Sequence, residues 1–364
     1  MIHVCYAIYD ARGTYSKFVG ASVCSLFENT KEPVTIHILH DETLTELNRQ
    51  RFEKLAAIYD QKIEFYDVEL DEKIGDFMKK HTQHSPAALY RLCMGDLLPL
   101  SIDKVIYLDA DTIVNLDIKS LWNEIGSEDF FGAVVDAGIA TEGWDSYKQF
   151  PVITKGFVNR EDYFNSGVWV VNLDKLRAIE NFSRQILETL YNDTASFPGP
   201  DQCTLNYFYS KQYKKLPGKY NVQLVMERRK GLRHVGEGIY HYIVHSLNAR
   251  LNDEFDRLFW HYFVKTPWFD EKFFLDAIDQ FRAAVATQQM ILMKALYTYE
   301  RLIFWAPAAL EARIFDILSR LQIGQHRGGN KVHSERRGNA RTCRRLRRYL
   351  RANKCRYSCA EGDV

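Results

Sequence analysis

Nowhere does the sequence run through eighteen consecutive apolar residues, and a helix needs about twenty to cross a bilayer. The opening stretch, MIHVCYAIYD, also lacks the basic segment and apolar core of a secretory signal. These two absences argue against a spanning helix and against secretion. Paired cysteines are missing as well. The seven cysteines, at positions 5, 24, 93, 203, 343, 355 and 359, are odd in number and scattered, with no C-x-x-C spacing. The spacing matches no strong zinc or redox signature, although Cys343, Cys355 and Cys359 could hold a metal or a lipid, and a reducing cytoplasm is the expected compartment. Net charge is almost absent at +1, but the average conceals an Arg-rich final forty or so residues balanced by an acidic remainder. There is no internal repeat.

What is present is a chain of 364 residues, long enough to bury a full core. HVCYAIYD reads as a first strand. A helix follows from about Tyr15 to Phe27, with Phe18, Val19, Val23, Leu26 and Phe27 at helical spacing. PVTIHILHD is a strand, and DETLTELNRQRFEKLAAIYDQ a helix that Asp41 or Thr43 can cap. KIEFYDVEL is a strand, a helix starts near Pro86, and KVIYL is a strand apolar on both faces. This alternation predicts right-handed βαβ crossovers and a mainly parallel sheet flanked by helices, with ligands bound beyond the carboxyl ends of its strands. GVWVVNL and GIYHYIVH are later strands, and PDQCTLNYFYS is a helix with Pro200 in its first turn. The expected organisation is an α/β domain over 1–275, a helical region over 276–325 and a basic tail over 326–364.

The stretch KVIYLDADTIV ends an apolar strand on two carboxylates, Asp109 and Asp111. On a strand that stays extended through Ala110 the two face one side, and a divalent cation is the usual compensation for carboxylates this close. The alternative is that one aspartate caps a turn and the other is solvated. HYIVHS, in the late strand, offers histidines to complete a metal site.

YRLCMGDLLP, KVIYLDADTIV, YFNSGVWVVNLDKLR, PDQCTLN and IYHYIVH…KTPW together resemble the retaining nucleotide-sugar glycosyltransferases of family 8, of the bacterial lipopolysaccharide galactosyl- and glucosyltransferase type. The resemblance runs from the first strand to about Trp268. It implies a GT-A fold and transfer of galactose or glucose from a UDP-sugar to a glycan or glycolipid acceptor, with Mn2+, or Mg2+, as cofactor. It assigns Asp109, Asp111 and His241 as metal ligands, with His245 and then His261 as competitors for the third position. Lys265 and Arg91 match positions that contact donor phosphate. Ala7 and Asp10 match positions at the base and ribose, and Tyr9 stands where relatives often carry an acidic base-reading residue. Asp136, Asn165, Asp201 and Gln202 match positions around the donor sugar, Gln202 at the anomeric carbon and Asp201 bracing it. The chain departs from the family after HY, where Val244 and an inserted stretch precede KTPW. An amide is a poor nucleophile, so same-face substitution through an oxocarbenium-like state is expected rather than a covalent intermediate.

The basic tail suits an anionic membrane surface, which would place the enzyme on the cytoplasmic face of the inner membrane; nucleic acid is not an expected partner. Two rival readings remain at this level. One is a metal-dependent phosphohydrolase or nuclease using Asp109 and Asp111. The other is a catalytically idle glycan-binding protein.

Overall fold

Strand β1 (Ile2–Ile8) is apolar on both faces, with Val4, Tyr6 and Ile8 packed into one hydrophobic cluster and Cys5 and Ala7 into another. A strand of this kind has to be central and covered on both sides. In the computed structural model of the chain, which describes residues 1–70, 85–141, 143, 145–232, 234–243 and 253–305, that is its position. Helix α1 (Ser16–Asn29) leads from it to β2 (Val34–His40), and α2 (Glu46–Ile58) from there to β3 (Lys62–Asp67). Val19, Val23, Leu26 and Phe27 of α1 are buried, as the spacing predicts. The α2 cap is Thr45, whose side chain accepts from the Asn48 N–H. Asp41 and Thr43, the expected caps, stand too early and bond each other and Tyr90 instead.

The helix expected near Pro86 is broken into α3 (Ala87–Tyr90), a 3-10 turn and α4 (Met94–Leu97). Strand β4 (Lys104–Leu108) then pairs with β1 in parallel, on the side away from β2. After β5 (Thr112–Asn115) come β6 (Phe131–Val135), α5 (Ala137–Ala140), β7 (Phe164–Asn172), α6 (Phe182–Asn192), α7 (Pro200–Tyr209) and β8 (Tyr213–Lys215). The main sheet has the order β3-β2-β1-β4-β7-β6-β8, with β7 antiparallel to both neighbours and the other pairings parallel. The chain leaves β1 toward β2 and returns on its other side at β4, which makes the β1/β4 boundary the switch point where such sheets open a crevice.

A second, three-stranded sheet sets β10 (Gly238–His241) between β5, antiparallel, and β9 (Val222–Gln223), parallel. Its register pairs His241 with Thr112. Helix α8 (Glu254–Phe263) buries Phe255, Phe259, Tyr262 and Phe263 against the α1 side of the core. Helix α9 (Glu271–Trp305) starts five residues before the expected Asp276. The chain divides into units Met1–Ala277 and Ile278–Val364. His245 and the Arg-rich tail with Cys343, Cys355 and Cys359 lie outside the described residues. Among the described residues no helix is long and apolar enough to cross a membrane.

Candidate active site

Strand β4 stops at Leu108, and Asp109–Asp111 form a turn closed by the Thr112 N–H donating to the Asp109 carbonyl at 3.2 Å. The carboxylates therefore converge across a turn and not, as expected from the sequence, along an extended strand. The cause is topological: the chain must leave the main sheet after β4 to enter the second sheet as β5. The β5/β10 register then delivers His241, whose Nε2 lies 3.2 Å from Asp111 Oδ1 and 3.7 Å from Asp109 Oδ2. One ligand atom from each of the three residues falls within 4.8 Å of the others. Two carboxylate oxygens and one imidazole nitrogen are a donor set that would suit a divalent cation.

Gly167, of the FNSG stretch, forms the floor of this cluster. Its carbonyl accepts from the Asp109 N–H at 2.7 Å. A Cβ there would collide with His241 Cε1 and stand 2.6 Å from Asp109 Oδ2, so no side chain fits beneath this cluster.

Arg91 is buried behind the cluster. It donates to Asp109 Oδ1 at 2.7 Å and to the Ser166 carbonyl at 2.8 Å, stands 3.3 Å from Asp201 Oδ2, and lies over the Tyr107 ring. Tyr107 donates to the same Asp109 oxygen at 3.1 Å. Asp109 is thus held through Oδ1 while Oδ2 faces His241. Burial acts to lower the Arg91 pKa, but Asp109 and Asp201 overcome it and keep the guanidinium charged. Burial raises the Asp109 pKa, with Arg91 and His241 opposing. For Asp111 burial also acts upward, yet the contact with His241 wins and holds its carboxyl below the usual range. His241 itself is raised, since the two aspartates outweigh its burial.

The PDQ and FNSG residues come together as expected, but as a mutually bonded network. Gln202 accepts from the Ser166 N–H at 3.1 Å and donates to Asp136 Oδ2 at 3.1 Å. Asp201 accepts from the Ser166 hydroxyl at 2.8 Å, so it braces Gln202 through Ser166 and not by direct contact. Asp136 caps α5 with Oδ1 and accepts from Asn165 and Gln202 with Oδ2. Asn221, 3% exposed, joins Asn165 to His241. Ser166, Gly167 and Asn221 were missed in the sequence. The first two stand beside the singled-out Asn165, whereas Asn221 carries no motif.

A family model described as glycosyl transferase family 8 matches residues 7–246. The chain belongs to glycosyltransferase family 8. It is 28% identical over 207 residues to the lipopolysaccharide 1,3-galactosyltransferase of Salmonella typhimurium, covering 56% of this chain and 59% of that one. It is 30% identical over 215 residues to an Escherichia coli lipopolysaccharide 1,2-glucosyltransferase, covering 56% and 58%. A putative glycosyltransferase of Haemophilus influenzae is 26% identical, with coverage of 59% and 62%. In these alignments the chain spans about three fifths of each relative. The galactosyltransferase LgtC, solved with donor and acceptor sugar analogues, superposes with a TM-score of 0.60 at 20% identity, covering 74% of this chain and 98% of that one. The likeness establishes the GT-A fold.

Of the residues expected at the donor site from the likeness to family 8, Asp10 and Lys265 are paired with other residues. Asp10, 2% exposed, accepts from the Tyr15 N–H, the Ser16 N–H and hydroxyl, and the Asn48 amide at 2.5–3.1 Å. Its carboxylate ties down the start of α1. Ala7 is buried in the core, where it has only backbone to offer. Lys265 pairs with Glu28 at 2.5 Å and approaches His261 at 3.0 Å. Glu28 lies twelve residues along α1 from Ser16, about 18 Å along the axis, so Lys265 sits at the end of α1 remote from Asp10. His261 is drawn there with it. The KTPW stretch is an anchor: Trp268 packs on Gly20 and donates to Asn48 Oδ1 at 2.9 Å. Tyr9 is half-buried. Burial of the Tyr15 phenol raises its pKa, and the nearby Asp111 and Asp109 add to that shift.

A cavity of about 590 Å³ shares Asn221 with the network and is lined also by Ala137, Thr141, Lys219, Gln223 and Lys230. Gln223 is buried, and its Nε2 has no hydrogen-bond partner among the described residues.

Proposed function

We propose that this glycosyltransferase moves galactose or glucose from a UDP-hexose to a hydroxyl of a lipopolysaccharide-type or other surface glycan, with retention. UDP-hexoses are α-linked, so retention gives an α product. The observation that carries the reading is the Asp109–Asp111–His241 cluster beyond the switch point of a GT-A sheet. These three residues would hold Mn2+, or Mg2+. When bound, the ion supplies Lewis-acid neutralisation of charge growing on the departing diphosphate.

In the transfer the anomeric carbon–phosphate oxygen bond breaks, a carbon–oxygen bond to the acceptor forms on the same face, and the acceptor's proton passes to the departing phosphate. Gln202, held at both ends by Ser166 and Asp136, keeps its amide fixed beside developing positive charge. Same-face substitution is favoured over a covalent intermediate because the nearby carboxylates are committed. Asp136 serves four donors, and Asp201 serves Ser166 and Arg91. The cavity containing Gln223 is the proposed acceptor berth, its unpaired amide donor meeting a sugar hydroxyl. The Arg-rich tail is proposed to hold the enzyme on the anionic cytoplasmic face of the inner membrane.

The test is incubation of the purified chain with UDP-galactose or UDP-glucose and Mn2+, following donor hydrolysis and transfer to lipopolysaccharide core. Metal-dependent release of UDP with α-hexosyl product is expected. Binding without turnover for any acceptor would favour the idle glycan-binding reading. Cleavage of nucleotides or nucleic acid irrespective of sugar would favour the phosphohydrolase.

A further inference from the structure

We propose that Asn221 is a positioning residue that fixes the tautomer of His241, placing the ring proton on Nδ1 and the lone pair on the Nε2 that faces Asp109 and Asp111. The inference rests on reading those three residues as the metal site. It is carried by a chain of hydrogen bonds in which each polarity is forced by the one before.

The chain starts from a donor that cannot reverse. The backbone N–H of Gly167 donates to Asn165 Oδ1 at 3.0 Å. At its other end Asn165 Nδ2 donates to Asp136 Oδ2 at 3.1 Å, and an ionised carboxylate only accepts. Asn165 is therefore pinned in one amide orientation. Its Oδ1 also receives Asn221 Nδ2 at 2.8 Å, which leaves Asn221 Oδ1 turned toward His241 Nδ1 at 3.1 Å. A carbonyl oxygen can only accept, so Nδ1 carries the proton. Nε2, at 3.2 Å from Asp111 Oδ1, is left as the ligating atom.

Burial makes the device effective. Asn165, Asn221 and His241 are 6%, 3% and 4% exposed, so bulk water has little access to replace a lost partner. Partners that orient a metal-bound imidazole through its second nitrogen typically contribute about 10–100-fold to metal affinity. Here the orienting group is a neutral amide, itself oriented by Asn165 and ultimately by Asp136, which also holds Gln202. The metal ligand and the residue proposed at the anomeric carbon therefore share one fixed framework.

Two measurements test this. In the metal-free wild-type protein labelled with 15N-histidine, in alkaline buffer where the ring is neutral, His241 should show a protonated Nδ1 and an unprotonated Nε2. A bare Nδ1 would overturn the inference whatever the metal does. Mn2+ titration by calorimetry should then show Asn221→Leu binding about 10–100-fold more weakly. Asn221→Asp, which keeps an oxygen acceptor against Nδ1, should lie between Asn221→Leu and wild type. Equal affinity of wild type and Asn221→Leu would sink the proposal while leaving the metal site standing. Failure of wild type itself to bind Mn2+ would sink the metal reading, and the histidine tautomer would still be decided by the first measurement.

Discussion

Strands β1 and β4 are parallel neighbours, and just beyond each lies a carboxylate beside the same crevice, yet the two have opposite fates. Past β1, Asp10 accepts four hydrogen bonds from the first turn of α1 and from Asn48. Past β4, Asp109 is held through one oxygen by Arg91 and Tyr107 while its other oxygen faces His241. Position at a strand end does not make a carboxylate functional. What separates the two is whether the protein fills the carboxylate's acceptor sites.

The sharpest test exchanges one charge in each place. Asp111→Asn should lower Mn2+ affinity and turnover by more than about 100-fold, beyond what loss of an outer partner costs a metal site, with the fold intact by circular dichroism. Retained turnover would remove the metal site. Asp10→Asn should do the reverse. It leaves Mn2+ affinity within about 2-fold and lowers unfolding free energy by about 2–3 kcal/mol, since a charged acceptor of four donors is lost. Chemical denaturation measures it. A metal defect in Asp10→Asn would erase the distinction between the two strand ends.

Next in size is Gly167→Ala. The added methyl meets His241 and Asp109 together, and overpacking of this kind costs about 1–3 kcal/mol. Weakened Mn2+ binding in a protein that still unfolds cooperatively is the expected outcome. Unchanged affinity would mean that the ligands have room the structure does not show.

The sequence disclosed the part of this contrast that depends on local pattern. Apolar and β-rich runs identified β1, β2, β4 and β7, and the Asp-x-Asp pair pointed to the cluster. It concealed what depends on distant chain segments. β5 is four residues long and pairs with β10, more than 120 positions later, so nothing nearby reveals that the strand ends at Leu108 and turns. Asn221 is one asparagine in a loop until β9 and β10 set it between Asn165 and His241. Asp10 and Asp109 look alike in sequence because the donors that surround one of them are backbone amides, the Ser16 hydroxyl and a residue of α2.

Lys265 provides the smallest expected effect and extends the comparison to the far end of α1. Motif resemblance put it on the donor diphosphate, where loss of its charge would lower turnover steeply. The structure pairs it with Glu28, at side-chain exposures of 34% and 26%, and such solvent-accessible pairs contribute about 0–1 kcal/mol. Lys265→Met should therefore leave Mn2+-dependent donor hydrolysis within about 2-fold of wild type and shift stability by less than about 1 kcal/mol. A large fall in kcat with unchanged stability would instead mean that this segment swings to the crevice when donor binds. In that case both ends of α1, and not only the ends of β1 and β4, would have to be counted in the active site.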